Sequence, residues 1–96
     1  MGAASATPPD SWAHQVALFL LGKTPPTAFL KRANGRGEET EARAYIGLMA
    51  SLSGQRATAL EHLRWVKSQG AKNYTEYGLA RDELRRLEAA PAPPAP

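Results

Sequence analysis

Residues Glu41 to Arg64 read EARAYIGLMASLSGQRATALEHLR. Apolar residues recur here three and four positions apart, the spacing of one face of an α-helix. Tyr45, Leu48, Met49 and Leu52 form the apolar side of one predicted helix. Ala59, Leu60, Leu63 and Val66 form that of the next, which runs from about Arg56 to Gln69 and is closed by Gly70. Between them stands the tight turn Ser53-Gly54-Gln55. So short a connection makes the two helices antiparallel neighbours. Gly47 and Ala59 put one small residue on each helix, which lets the two backbones approach closely.

Outward from this pair the same periodicity continues, and the β-branched and aromatic residues never gather as they would in strands. The helix of Tyr45 is expected to begin near Glu38 or Glu39, with Glu38, Glu39 and Glu41 in a first turn where the helix dipole favours negative charge. Before it, Asn34-Gly35-Arg36-Gly37 reads as a stop. A short helix carrying Ala28, Phe29, Leu30 and Ala33 precedes that stop, with Thr24 as its cap and Pro25 at its first position. The first helix is expected to be capped by Asp10 and ended by Gly22, with Trp12, Val16, Phe19 and Leu20 on one face. On the C-terminal side Thr75 caps a fifth helix with Glu76 in its first turn. There Tyr77, Ala80, Leu84 and Leu87 share a stripe, and Asp82 and Arg86 have the spacing of a favourable ion pair. The expected architecture is all-α: about five short antiparallel helices over residues 10–89. Residues 1–9 (MGAASATPP) and 90–96 (APAPPAP) show no apolar period and are expected to be disordered tails.

Counting Thr40 as the first position of a unit of about 34 residues, Gly47 and Ala59 stand at small positions, Gly54 at the turn and Leu63 at a large apolar position. This resembles the tetratricopeptide repeat. The stretch from Glu41 to Arg64, followed by Glu76, Tyr77, Ala80, Glu83 and Leu84 and preceded by the run from Trp12 to Gly22, is similar to the C-terminal part of bacterial tetratricopeptide lipoproteins. Those proteins gather cell-wall hydrolases and proteases at the outer membrane of Gram-negative bacteria. The resemblance spans roughly Trp12 to Leu87. It departs from the repeat pattern at Arg43, Ala50 and Ala71, where Trp, Tyr and Pro are usual. The lipidated cysteine of that family is also missing, so its membrane location does not carry over. The resemblance implies a tetratricopeptide-like helix pair with flanking helices. It also implies an inner face lined by Glu41, Ala44, Leu48, Ser51 and Leu52, with Lys72 and Asn73 at the end of the unit. A peptide or a partner helix would lie there.

Composition narrows the function further. With no cysteine, disulfides, thiolate catalysis and Cys-ligated zinc are excluded. The net charge of +3 arises from 12 Lys and Arg against 9 Asp and Glu, with both signs mixed along the chain. The densest cationic stretch runs from Arg56 to Lys72 and holds Arg56, Arg64, Lys67 and Lys72 against Glu61. It reads first as the solvated face of a helix and second as a weak surface for anions or nucleic acid. The longest apolar run, Val16 to Leu21, is too short to span a bilayer, and no signal segment is evident. Cytoplasmic and periplasmic locations both fit.

His14 and His62 lack partners at metal-ligand spacing, no serine sits in a nucleophile elbow, and the two glycines of Asn34–Gly37 follow a helix and lack the lysine of a phosphate loop. No cofactor or metal is expected. Trp12 opens an apolar stripe and reads as core, whereas Trp65 falls at the edge of its helix's inner face and is a candidate anchor. About 80 residues bury only about 60% of their unfolded surface, so a partner or self-association would add needed stability. The expectation is therefore a non-enzymatic scaffold or adaptor module. A self-assembling unit of a longer repeat protein is the alternative, ahead of nucleic-acid binding.

Overall fold

The computed structural model describes residues 11–89. Both expected tails and the expected cap Asp10 lie outside the described residues. Among the described residues the fold is all-α, with five helices: α1 (Trp12–Leu20), α2 (Pro26–Lys31), α3 (Gly35–Leu52), α4 (Arg56–Gln69) and α5 (Thr75–Ala89). No helix among the described residues is long and apolar enough to cross a membrane.

The helix ends follow local chemistry, and several differ from expectation. Ser11 is the N-cap of α1, its hydroxyl accepting from the His14 backbone N–H at 3.2 Å. At the start of α2, Pro25 is the cap residue and Pro26 the first helical one, a residue later than expected. Helix α3 begins at Gly35 instead of Glu38, so Glu38 alone of the three acids stands in its first turn. The Glu38 carboxylate accepts from the Asn34 backbone N–H at 2.9 Å and so closes that turn. Thr75 lies inside α5. Helices α1 and α3 end alike. Lys23 N–H bonds to Leu18 O and Gly22 N–H to Phe19 O; Gln55 N–H bonds to Ala50 O and Gly54 N–H to Ser51 O. This is the Schellman pattern, which requires a left-handed residue after the helix. Gly22 (φ 78°) and Gly54 (φ 76°) supply it.

Two apolar clusters meet on α3. The first joins Ala44 and Ala50 to Ala59, Leu63 and Val66 of α4 and Ala80, Leu84 and Leu87 of α5. The second joins Ala42 and Ile46 to Phe19 and Phe29, with Trp12 and Tyr45 against it. Phe29 stacks between Trp12 (ring centroids 5.1 Å) and Phe19 (4.5 Å), which fixes α1 on α2. The buried side of α3 is thus Ala42, Ala44, Ile46, Gly47 and Ala50. This corrects the expected stripe of Tyr45, Leu48, Met49 and Leu52: Met49 and Leu52 are exposed, and Leu48 and Tyr45 are half-buried. Leu20, expected inward on α1, is exposed as well.

Small residues line α3 where it faces α4 because that helix is so close, whereas Ile46 fills the wider space toward Phe19 and Phe29. A Cβ on Gly47 would stand 2.6 Å from Leu63 Cδ2 and 3.4 Å from the Ala59 carbonyl oxygen. Here α4 occupies the space a larger side chain would need. Contacts running from Arg43 with His62 to Gly47 with Ala59 show that α4 is antiparallel to α3. Helix α5 runs parallel to α3, since Tyr45 bonds Glu76 and Ser51 bonds Glu83. Fully buried Thr40 ties the α4–α5 connection to the start of α3. Its hydroxyl donates to Arg36 O at 2.7 Å and accepts from the Ala71 N–H at 2.8 Å.

Candidate interaction face

Helix α3 has one side on which Tyr45 packs against the second cluster, while Leu48 and Leu52 belong to neither. Glu41, Tyr45, Leu48 and Leu52 are spaced four, three and four residues apart and share a single stripe. Helix α1 reaches the stripe at Glu41, whose carboxylate accepts from the Trp12 indole N–H at 3.2 Å. Helix α5 reaches it at Tyr45, whose hydroxyl donates to Glu76 at 2.9 Å. A floor of α3 therefore lies between α1 on one side and α5 on the other.

The offset between α3 and α5 sets the rest of this face. Tyr45 meets Glu76 and Ser51 meets Glu83, so Leu48 stands abreast of Leu79. Leu79 is 50% exposed and Leu52 82% exposed. Leu48 is half-buried and belongs to neither core cluster. On the α1 side, Met49 leads into an open cleft of about 310 Å³ lined by Phe19, Leu20, Pro25, Pro26 and Ile46, among others. Leu20 and Met49 thus share the cleft between α1 and α3, and Leu48, Leu52 and Leu79 stand on α3 and α5.

Of the residues the sequence reading assigned to the inner face, the structure brings Glu41, Leu48 and Leu52 together. Ser51 lies at the α5 edge and is engaged, its hydroxyl bonded to Glu83 and approached by Arg86 at 3.3 Å. Ala44 is wholly buried against α4 and α5 and has no surface to offer, which corrects its assignment. Lys72 and Asn73 are exposed, next to the Thr40–Ala71 tie at the N-terminal end of α3. Trp65 is apart from this face. It is half-buried against the α4–α5 cluster, and the Arg43 guanidinium lies 4.7 Å from its ring centroid. Arg43 and Leu52 are nine residues apart, about 180° around the helix. Trp65 is therefore a half-buried ring on the far side of α3 from Leu52.

Sequence reasoning missed Leu79, Leu20 and Leu21 as surface leucines. The signal for Leu79 was present: it falls off the stripe of Tyr77, Ala80, Leu84 and Leu87.

The electrostatics of the face are uneven. Desolvation by burial raises the Glu41 carboxyl above its usual range, and the Glu76 charge adds to this; the Trp12 hydrogen bond opposes it, and Glu38 raises it further. Burial, with the hydrogen bond to Glu76 next, pushes the Tyr45 phenol up to about 12. At the other end the Arg86 hydrogen bond holds Glu83 low, assisted by Ser51. Arg86 pairs with Glu83 at 2.5 Å instead of with the expected Asp82, which pairs with Arg81 at 3.3 Å. The cationic stretch of α4 is partly committed as well: Arg56 donates to Leu87 O at 2.7 Å and Arg64 pairs with Glu88 at 3.1 Å. Among the described residues no three of His, Asp and Glu converge as a metal site would require.

Comparison of the chain with protein-family models, with curated proteins and with solved structures finds no match.

Proposed function

We propose that this chain is a protein-binding module that receives a peptide or a partner helix on the face of α3 between α1 and α5. The observation that carries this reading is the register of two parallel helices that sets Leu48 level with exposed Leu79, with exposed Leu52 one turn further along α3. Leucines that fold into no core cost free energy while they face water, about 25 cal/mol for each Å² of apolar area. A partner that covers them recovers that energy, so a contiguous exposed apolar face is a binding surface before it is anything else. The polar ties at Glu41, Tyr45 and Ser51 hold the surrounding helices in place before a partner arrives, which lowers the ordering cost of binding.

A tetratricopeptide-like unit is the architecture that fits this reading. It accounts for the glycine contact of α3 with α4, for α5 standing parallel to α3, and for a binding face on the first helix of the pair. A scaffold or adaptor role follows from that face.

The test is capture from a lysate with wild-type bait beside Leu52→Glu bait, both shown to be folded by circular dichroism, together with sedimentation of each alone. A specific partner held by wild type and lost by Leu52→Glu supports the reading. A partner held equally by both contradicts it. A wild-type dimer that Leu52→Glu dissociates, with a melting temperature that depends on concentration, makes the partner a second copy of the chain.

A further inference from the structure

The leucine face has an acidic end. Glu41 is seven residues before Leu48 on α3, about 10 Å along the axis at the usual helical rise. Glu76 lies beside it on α5 and Glu38 one turn before it; the charges of both act on the Glu41 carboxyl. All three carboxylates are half-buried. The donors they have are neutral: the Trp12 indole for Glu41, the Tyr45 hydroxyl for Glu76 and the Asn34 backbone N–H for Glu38. None of the ion pairs among the described residues involves them. Arg32 lines the same hollow as Glu38, and Lys72 is exposed near the start of α3, yet neither pairs with these acids.

The opposite end differs. Glu83 there is neutralised by Arg86, leaving Leu52 and the Met49 cleft as the accessible chemistry. The face therefore presents uncompensated negative charge at its N-terminal end and exposed apolar surface at its C-terminal end. This occurs in a chain whose net charge is +3, so the sign of the patch opposes the sign of the molecule.

We propose that the occupant of this face is a cationic–apolar peptide segment. Its arginine or lysine side chains lie against Glu41 and Glu76, and its leucine-like side chains lie on Leu48, Leu52 and Leu79. This rests on the interaction-module reading and specifies its partner. Charge complementarity selects the ligand: a cation meets half-buried carboxylates that lack one, whereas an acidic segment adds a like charge to a site already strained by three. The apolar contact supplies affinity and the charges supply orientation. A basic group must stand about 10 Å from the first apolar one, which is roughly three residues in an extended segment or two turns in a helical one.

Two synthetic peptides of equal length test this. One carries an arginine pair at one end and leucines at the other; its partner replaces the arginines with glutamates. Both are titrated by fluorescence anisotropy against wild type, Leu52→Glu, and the double variant Glu41→Gln with Glu76→Gln. Glutamine keeps an oxygen to accept from Trp12 and Tyr45, so the double variant removes charge and leaves the hydrogen bonds. The arginine peptide is expected to bind wild type at least fivefold more tightly than the glutamate peptide. The double variant is expected to lose roughly fivefold of that affinity, about 1 kcal/mol for two partly exposed pairs. Added salt should reduce the difference between the peptides, and Leu52→Glu should weaken both. Equal binding of the two peptides, or no effect of the double variant, overturns the cationic partner. If Leu52→Glu still weakens both in that case, the interaction face itself stands. If neither peptide binds and the methyl resonances of Leu48, Leu52 and Leu79 do not move, face and partner fail together.

Discussion

Replacing Gly47 by alanine tests the close approach of α3 to α4, on which the whole placement of α5 and the leucine face depends. In the middle of a helix, Gly→Ala ordinarily stabilises by about 1 kcal/mol, since alanine loses less backbone entropy on folding. At Gly47 the new methyl would lie 2.6 Å from Leu63 Cδ2 and 2.7 Å from Leu63 Cγ. Leu63 is wholly buried among Ala44, Ala59, Ala80 and Leu84 and cannot swing into solvent. Relief requires α3 to move off α4 or Leu63 to leave its rotamer, at the roughly 1–3 kcal/mol of an overpacked core. The contact involves Cγ as well as the tip of the side chain, which favours the upper part of that range. A net loss of about 1–2 kcal/mol is predicted, or a melting temperature lower by roughly 5–15 °C for a domain of this size. Gly78 on α5 is the internal control. A Cβ there meets nothing within 4 Å, so Gly78→Ala should stabilise by about 0.5–1 kcal/mol. Urea denaturation of both variants beside wild type reads the two signs. If Gly47→Ala is as stable as wild type or more so, the packing of α3 on α4 described above is wrong.

Other predictions use separate parts of the molecule. Thr40→Val keeps the side-chain shape and leaves the Ala71 N–H without its acceptor; a loss of about 1–3 kcal/mol is predicted by urea denaturation, with faster hydrogen exchange at the Ala71 amide. The tyrosinate absorbance of wild type minus that of Tyr45→Phe should titrate near pH 12, not near the ordinary value of about 10. Since folding raises this pKa, its contribution to stability is complete below about pH 10 and is lost as pH rises through about 12. Burial lowers the His62 pKa; Glu61 opposes this and Arg43 assists it. Arginine only donates, so the Arg43 contact at 3.4 Å makes His62 Nδ1 the acceptor and puts the neutral ring's proton on Nε2. The folded state resists the second proton. The His62 contribution is therefore complete above about pH 6.5 and is lost as pH falls through the lowered value, so His62→Gln should flatten the stability profile there.

Five helices and their order were legible in the periodicity, and Gly22, Gly54 and Gly70 marked helix ends because backbone geometry at a terminus is a local matter. The start of α3 was less legible. Asn34-Gly35-Arg36-Gly37 has the composition of a loop, but only Gly35 takes a left-handed conformation (φ 85°), and the chain is helical from there. The core side of α3 was misread for a physical reason. Hydropathy points to Tyr45, Leu48, Met49 and Leu52, whereas distance of approach decides which residues fit, and against Leu63 and Ala59 only small ones do. That reversal leaves leucines outside, so the candidate face was visible in part, through Glu41, Leu48 and Leu52. Leu79 needed the α3–α5 offset, which depends on Tyr45 meeting Glu76 some thirty positions away and has no local signature. The pairing of Arg86 with Glu83 over Asp82 is of the same kind. Both acids are within helical reach, and the Ser51 hydroxyl on α3 favours the first.

The central claim is that the molecule binds its partner through the α3–α5 leucine face, and site-specific photo-crosslinking addresses it most directly. A photoreactive residue is placed at position 52, on that face, or at position 61, exposed on α4. Each variant is irradiated in cells, with and without Leu79→Glu. A discrete adduct from position 52, absent from position 61 and abolished by Leu79→Glu, is the predicted result. An adduct from position 61 with none from position 52 would contradict the claim and move the binding surface to α4.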